Sequence, residues 1–320
     1  MGSVKDLTVD KAATENEMGV GIFKFTDDYS VFDYGKMPDI IPNKGEALCR
    51  IAAYNFEQLK ELGVKSHYRR IVSGNEMEVN LVRVLFPQKG ELQPGMRNYL
   101  VPLEVIFRNS LPNGSSVFKR LDKGQTTIEQ LGLDHMPEPG EKLEKPIMDV
   151  STKLEPTDRY LTWDEAREIA ALTEEQMDEL RNTALKVNDY LNKKAASLGM
   201  EHADGKIEMA LTPENELVVV DVLGTLDENR FLYNGFHLSK QVLRDYYKTT
   251  PWYAVIEKEK EEGKGHGEFT VPSKLPEELI ELVSNMYKAV TVEWTGEKTW
   301  DVPSVAEVIE QYKAFLEANK

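Results

Sequence analysis

The sequence predicts an α+β protein: a small antiparallel β lobe with one helix over residues 1–100, and a larger mixed α/β lobe over residues 101–320 that ends in a helical extension, 252–320. Three observations carry that prediction. Alternating apolar runs broken by turn residues crowd the first hundred positions, two helix-capping signatures open a long periodic stretch near position 173, and a pair of apolar strands joined by a short turn follows it. Lobes built in this way commonly hold ligands in the cleft between them.

Taken in order, VGIFKFT (20–26) alternates as a strand does, and Asp27, Asp28, Tyr29 and Ser30 mark the turn that leaves it. A Gly/Pro-rich loop (Gly35, Pro38, Pro42, Gly45) leads to a helix from about Glu46 to Leu62, closed by Gly63. VKSHYRRIV (64–72) and EVNLVRVLF (78–86) flank Ser73-Gly74-Asn75, a hairpin signal. Tyr99 to Phe107 reads as one apolar strand. Thr162 with Glu165, and Thr173 with Gln176, are capping boxes, in which the threonine oxygen and the acid or amide satisfy free N–H groups of the first turn. The second opens a helix whose Met177, Leu180, Ala184, Val187, Leu191, Ala195 and Leu198 recur at helical spacing and stop before Gly199. GKIEMAL (205–211) and ELVVVDVL (216–223) are strands, and helices are expected near 238–248, 276–290 and 304–318. EKEKEEGK (257–264) reads as a solvated helix end or loop.

With 39 Lys+Arg against 55 Asp+Glu, the formal net charge is −16, which argues against nucleic-acid binding, since that affinity comes from many cations displacing counterions. No apolar run approaches the roughly 18 residues of a membrane helix. The N-terminus MGSVKDLTVD lacks a signal-peptide core, so a cytoplasmic protein is expected. The single cysteine, Cys49, cannot form an internal disulfide, and the five histidines show no metal-ligand spacing. Phosphate loops, GxGxxG, GxSxG and HExxH are all absent.

Four segments gather polar residues in patterns that packing alone does not require. Gly2-Ser3-Val4-Lys5-Asp6 offers backbone N–H groups and an ammonium to a phosphate, although an exposed lysine in a terminal arm would look the same. Arg108 to Ser116 follows an apolar strand with an arginine and a Gly-Ser turn, as an anion cradle or as an ordinary turn with a surface arginine. Ser151 to Arg159 concentrates hydroxyls and both charges in an expected loop. Asp204, Lys206 and Glu208 alternate, so they share one face of a strand, and Asp221 ends the next strand within reach of Glu208. Two carboxylates placed together call for a compensating cation, and Mg²⁺ with nucleotide phosphates would supply it; a salt-bridged exposed face would use the same residues.

TDDYSVFD (26–33), MPDIIPNKG (37–45), PLEVIFRN (102–109) with Gly114-Ser115, PIMDVSTKLE (146–155), ADGKIE (203–208) and DVLGTLDENRF (221–231) occur in the order of the signature segments of the phosphoribosylaminoimidazole-succinocarboxamide synthase (SAICAR synthetase) family, which the chain resembles over roughly residues 2–250. GSVKD is similar to that family's phosphate-binding opening. The resemblance implies an ATP cleft between the lobes and an ATP-dependent ligase of purine biosynthesis. Its reaction joins the carboxylate of carboxyaminoimidazole ribotide (CAIR) to the amine of L-aspartate through an acyl phosphate, giving SAICAR, ADP and phosphate.

Carried over by residue, the resemblance implies that Lys5 and Lys206 contact ATP phosphates, that Leu100 lies at the adenine hinge, and that Glu208 and Asp221 hold Mg²⁺. Glu104, Arg108, Ser115, Asp227 and Arg230, with Arg244 in KQVLRD, match ribotide-binding positions, and Arg108, Lys206, Glu208 and Asp221 form the implied catalytic set. Lys153 and Asp204, with Asp158 as a further suggestion, match the region that places aspartate. The partners implied are small molecules, and a homo-oligomer is compatible with the sequence. Ser3 stands where the family has lysine, Met209-Ala210 and Val222 depart from the pattern after the strand lysine and after Asp221, and Leu226 replaces a proline. These departures leave open a related ligase with another acceptor or amine, and a nucleotide-binding regulator without catalysis. The ligands proposed are anions and the chain is acidic, so Lys5, Arg108, Lys153, Lys206, Arg230 and Arg244 are required to face one cleft.

Overall fold

The computed structural model describes residues 4–32, 34–155, 157–265 and 267–319. β1 (Lys5–Lys11), β2 (Gly19–Phe25), β3 (Tyr68–Ser73) and β4 (Glu76–Leu81) form an antiparallel sheet in the order β1-β2-β4-β3, with α1 (Lys44–Glu61) between β2 and β3 in sequence. The segment from Lys5 is thus an ordered strand rather than a flexible arm, held by pairing of Lys5 with Phe25. The loop before α1 has a compact cause. The Asp27 carboxylate accepts from the N–H groups of Asn43 and Gly45 (3.1 and 2.9 Å), and a Cβ on Gly45 would lie 2.7 Å from the Phe25 carbonyl oxygen.

The second sheet holds β5 (Tyr99–Leu100), β6 (Leu103–Leu111), β7 (Glu141–Thr152), β8 (Glu201–Leu211), β9 (Leu217–Val220), β10 (Asn229–Tyr233) and β11 (Phe236–His237). Its order is β11-β10-β8-β6-β7, with β5 and β9 also paired to β8, and all the pairs are antiparallel. The expected strand at 99–107 is divided at Val101-Pro102, where proline cannot donate to a ladder. The expected strand at 216–223 stops at Val220 because Asp221 takes a left-handed conformation, φ +68°. The two sheets are joined through Val219. Its N–H donates to the Lys65 carbonyl, and its own carbonyl accepts from His67 N–H, both at 3.0 Å.

Between β6 and β7 lies α2 (Ser116–Asp122). Both capping boxes are present, opening α3 (Trp163–Ile169) and α4 (Glu174–Ser197). The apolar face of α4 packs on β6 and β8, and its Leu180, Ala184, Val187 and Leu191 are wholly buried. α5 (Gln241–Lys248), α6 (Pro251–Glu261), α7 (Glu277–Thr295) and α8 (Val305–Ala318) complete the chain. The charge run 257–264 forms the end of α6, as expected, and α7 runs one turn beyond the expected 290. α7 lies between α1 and α8, burying Leu279, Val283, Val290 and Trp294, each worth about 1.5–3 kcal/mol relative to exposure. Among the described residues, no helix is long and apolar enough to cross a membrane.

Candidate active site

One face of the second sheet supplies most of the charged residues singled out from the sequence. Antiparallel partners share a face. Arg108 on β6 lies opposite Asp204 on β8, Ile106 opposite Lys206, and Glu104 opposite Ser151 on β7, while Arg230 on β10 also lies opposite Asp204. The alternation Asp204, Lys206, Glu208 therefore runs beside Glu104 and Arg108, as the sequence predicted. Intervening residues Val105, Phe107 and Ile207 point the other way into the core. Gly205 lies on that opposite face, where a Cβ would come within 1.9 Å of Asn229 Oδ1 and 2.7 Å of the Phe107 ring. The Asn229 amide is fixed in turn by His202 Nε2 and the Thr225 carbonyl (3.0 and 3.2 Å).

The charges form a linked array. Lys5 pairs with Asp221, and Lys153 pairs with Glu208 and lies 3.7 Å from Glu104. Lys206 bridges Glu104 (2.5 Å) and Glu228 (3.2 Å). Farther along the face, Asp204 accepts from Arg230 at 2.7 Å and lies 3.7 Å from Arg108. Arg108 also donates to Tyr160 (3.0 Å) and Ser116 (3.2 Å), and it approaches Asp149 at 3.6 Å. Ser115, buried, caps α2 by accepting from Val117 N–H at 3.4 Å. Arg244 on α5 donates to Gln241 (3.4 Å), and its charge reaches Lys240 and Tyr287. Five of the six cations make ion pairs, in three neighbouring groups: Lys5 with Asp221, Lys153 and Lys206 sharing Glu104, and Arg108 and Arg230 sharing Asp204; the charge of Arg244 reaches Lys240.

The ionisation pattern follows from these neighbours. Burial and the adjacent Asp221 charge push the Glu208 carboxyl up to about 7, against Lys153 and Lys206. Enclosure opposes ionisation of Asp221 too, yet Lys5 and Lys153 hold its carboxyl below the ordinary value. Glu228 is driven down to about 2 by Lys206, Lys240 and Lys5, which outweigh its enclosure. Behind Asp221, His67 places Nε2 3.2 Å from the Asp221 carbonyl oxygen, and burial lowers its imidazole to about 4, so the neutral ring donates there at neutral pH.

The residues present fit a divalent cation. Glu208 and Asp221 meet at the end of the β8–β9 pair, where Glu208 lies opposite Val220, and their mutual repulsion is offset by the Lys5, Lys153 and Lys206 ammonium groups. Among the described residues no group of three or more His, Cys, Asp or Glu is disposed to hold a metal. Two carboxylates completed by phosphate oxygens are the donor set usual for Mg²⁺, which seldom occupies an all-protein cage. Leu100 sits beside a small apolar patch of Ala210, Val218 and Val220 with Val82, on the same β5–β8–β9 edge. The departures also find places. Val222 and Leu226 are buried in the core, Met209 and Ala210 are buried on β8, and Ser3 lies outside the described residues.

Sequence reasoning missed several neighbours. Arg120 pairs with Asp149 and stacks on Tyr160 with its guanidinium 3.7 Å from the ring centre. Lys44, wholly buried, lies 2.7 Å from Asp227. Glu228 and Asp149 stood inside the quoted motifs and could have been found there. Lys44, in MPDIIPNKG, carried a weaker signal: a lysine beside the glycine that starts a helix. Asp158 is exposed in the 157–159 segment that follows β7.

A family model described as SAICAR synthetase matches residues 10–259. The chain belongs to the SAICAR synthetase family. A protein of Archaeoglobus fulgidus provisionally assigned as a phosphoribosylaminoimidazole-succinocarboxamide synthase is 45% identical, over 99% of this chain and 100% of that one. The phosphoribosylaminoimidazole-succinocarboxamide synthase of Thermoplasma acidophilum is 38% identical over 87% of this chain and 93% of its own. Among solved structures, the SAICAR synthase of Saccharomyces cerevisiae complexed with SAICAR superposes with TM-score 0.67 at 22% identity, covering 94% of this chain and 95% of that one. A SAICAR synthetase in complex with ADP gives TM-score 0.59 at 24% identity, covering 83% and 97%. These likenesses establish the α+β SAICAR synthetase fold, and family membership makes the chain an ATP-dependent ligase of purine biosynthesis.

Proposed function

We propose that the chain joins CAIR to L-aspartate, with ATP activating the CAIR carboxylate as an acyl phosphate that the aspartate amine then attacks, releasing phosphate. The observation that carries this reading is the linked array on one sheet face. It sets an acidic pair, Glu208 and Asp221, beside lysines at one end and arginines 108, 120 and 230 at the other. A carboxylate is a poor electrophile, and phosphoryl transfer to it needs positioning and charge neutralisation rather than a protein nucleophile.

In this reading Lys5 and Lys206 hold ATP phosphates, and Leu100 with the Ala210–Val218–Val220 patch receives the adenine. Mg²⁺ would be held by Glu208 and Asp221, where it would neutralise the transferring phosphate. Arg108, Ser115, Arg230 and Arg244 hold the ribotide phosphate end, Glu104 and Asp227 its hydrogen-bond donors, and Lys153 with Asp204 places aspartate. Residues 1–100 would form the lobe that covers ATP, and the remainder would carry the metal and ribotide contacts. ATP and aspartate as substrates support a cytoplasmic location.

The test is direct. Purified protein with ATP, Mg²⁺, CAIR and L-aspartate is expected to form SAICAR and ADP in equal amounts. Absence of product, with ADP formed only when another acid or another amine is supplied, would reject the reading and identify the true substrate pair.

A further inference from the structure

The C-terminal helices lie beyond the matched residues 10–259, yet α7 touches the site. Its Ser284, Tyr287, Thr291 and Trp294 recur at three- and four-residue spacing, so they share the face turned to α1. Two of the four tie the scaffold together: Ser284 donates to the Pro42 carbonyl (2.7 Å) and Trp294 to Asn55 Oδ1 (2.8 Å), while Thr291 donates within α7 to the Tyr287 carbonyl (2.7 Å) and lies 3.5 Å from the Ala47 carbonyl. Tyr287 instead donates to Asp227 Oδ1 at 2.6 Å, while Lys44 of α1 lies 2.7 Å from Oδ2. Each oxygen of one carboxylate is therefore held by a different helix.

A buried tyrosine usually finds some partner, so the bond alone is not informative. What distinguishes it is the partner. Tyr99 and Tyr247 donate to the backbone carbonyls of Ala170 and Ser273, whereas Tyr287 donates to a carboxylate in the 221–228 segment. That segment is pinned at other points as well, by Asn55 donating to the Leu223 carbonyl at 3.0 Å and by the His67–Asp221 contact. Burial and the neighbouring Asp227 charge hold the Tyr287 phenol protonated, and Lys44 keeps Asp227 ionised, so donor and acceptor roles are fixed. With the Tyr287 hydroxyl bonded to one oxygen and the Lys44 ammonium 2.7 Å from the other, the carboxylate is restrained from turning about its own axis.

We propose that Tyr287 is a positioning residue that orients the Asp227 carboxylate for the ribotide, so that the C-terminal helical segment contributes to substrate recognition as well as to the core. The inference rests on Asp227 being a ribotide ligand, and the experiment separates the two. Steady-state kinetics on the full chain would compare Tyr287→Phe, Asp227→Asn, the double variant, and Tyr247→Phe, which deletes another buried hydroxyl. Tyr287→Phe is expected to raise KM for CAIR about tenfold, the loss typical of a hydrogen bond to a charged group, with kcat changed less than about threefold. It should also move the acid limb of kcat/KM to higher pH, because Asp227 loses a donor to its ionised form. The double variant should be no worse than Asp227→Asn, and Tyr287→His, which keeps a ring donor, should recover part of the KM. If Asp227→Asn raises KM for CAIR and Tyr287→Phe does no more than Tyr247→Phe, the positioning role is overturned. An unchanged KM in Asp227→Asn overturns the ribotide assignment and the inference with it. Should Tyr287→Phe fail to fold, the His variant and its cycle with Asp227→Asn decide the matter by the same criterion.

Discussion

The two ends of the array differ in how their charges are balanced. At the end nearest β1, Glu104, Glu208, Asp221 and Glu228 face Lys5, Lys153 and Lys206, with Lys240 also acting on Glu228, four carboxylates to four ammonium groups. At the other end Arg108, Arg120 and Arg230 face Asp149 and Asp204, three guanidinium groups to two carboxylates, and the buried Nε atoms of Arg108 and Arg120 have no hydrogen-bond partner among the described residues. At the first end the adjacent Glu208 and Asp221 charges are offset by ammonium groups, and the second end carries one guanidinium more than its carboxylates. The side chains follow the same division, since lysine is a mobile point charge and arginine a planar fork suited to phosphate or carboxylate. A chain with net charge −16 thus attracts anionic substrates by local arrangement, not by its average.

The comparison is broken most severely by removing the acid that the cation needs. Glu208→Gln keeps the shape of the side chain but removes a charge, and SAICAR formation should fall by about 10²–10³-fold, the usual effect of losing one electrostatic contributor to a transition state. Arg108→Lys retains charge and loses the fork. KM for CAIR should rise about 10–100-fold with a smaller change in kcat, measured by varying CAIR at saturating ATP. The pH response should also differ between the ends. A proton on Glu208 competes with the metal, so with that carboxyl near 7 the apparent Mg²⁺ affinity should fall about tenfold per pH unit below that point. Glu228, held near 2, should contribute nothing to this slope, and a flat Mg²⁺ titration between pH 8 and 6 would show that Glu208 is not a ligand. The smallest effect belongs to neither end. Ser304→Ala removes the capping box of α8 and should cost about 1 kcal/mol in denaturant unfolding while leaving both KM values unchanged.

How much of this was legible in the chain depended on whether local pattern and tertiary need agreed. On β8 they did, because Asp204, Lys206 and Glu208 alternate on a strand whose other residues are apolar, so both the strand and its charged face could be read. α4 was legible for a similar reason, since its cap, its period and its terminal glycine coincide. β7 was not. Its first half, EKLEKP, is mostly exposed and polar, and it becomes a strand by register with β6, which no local signal encodes. β1, with the sequence KDLTVDK on an exposed edge, was lost in the same way. The contact of Tyr287 with Asp227 spans 60 residues and joins a helix beyond the quoted motifs to one within them, so only the folded chain reveals it.

The separation of the two ends is tested most directly by calorimetric titration of CAIR, without nucleotide or Mg²⁺, into wild type and Glu208→Gln. If the guanidinium end binds the ribotide and the carboxylate end serves the metal, the variant should bind CAIR within about threefold of wild type, a difference under about 1 kcal/mol, although its turnover is lost. A loss of tenfold or more in CAIR affinity would contradict the division, because it would place the ribotide on the carboxylate that is assigned to the metal.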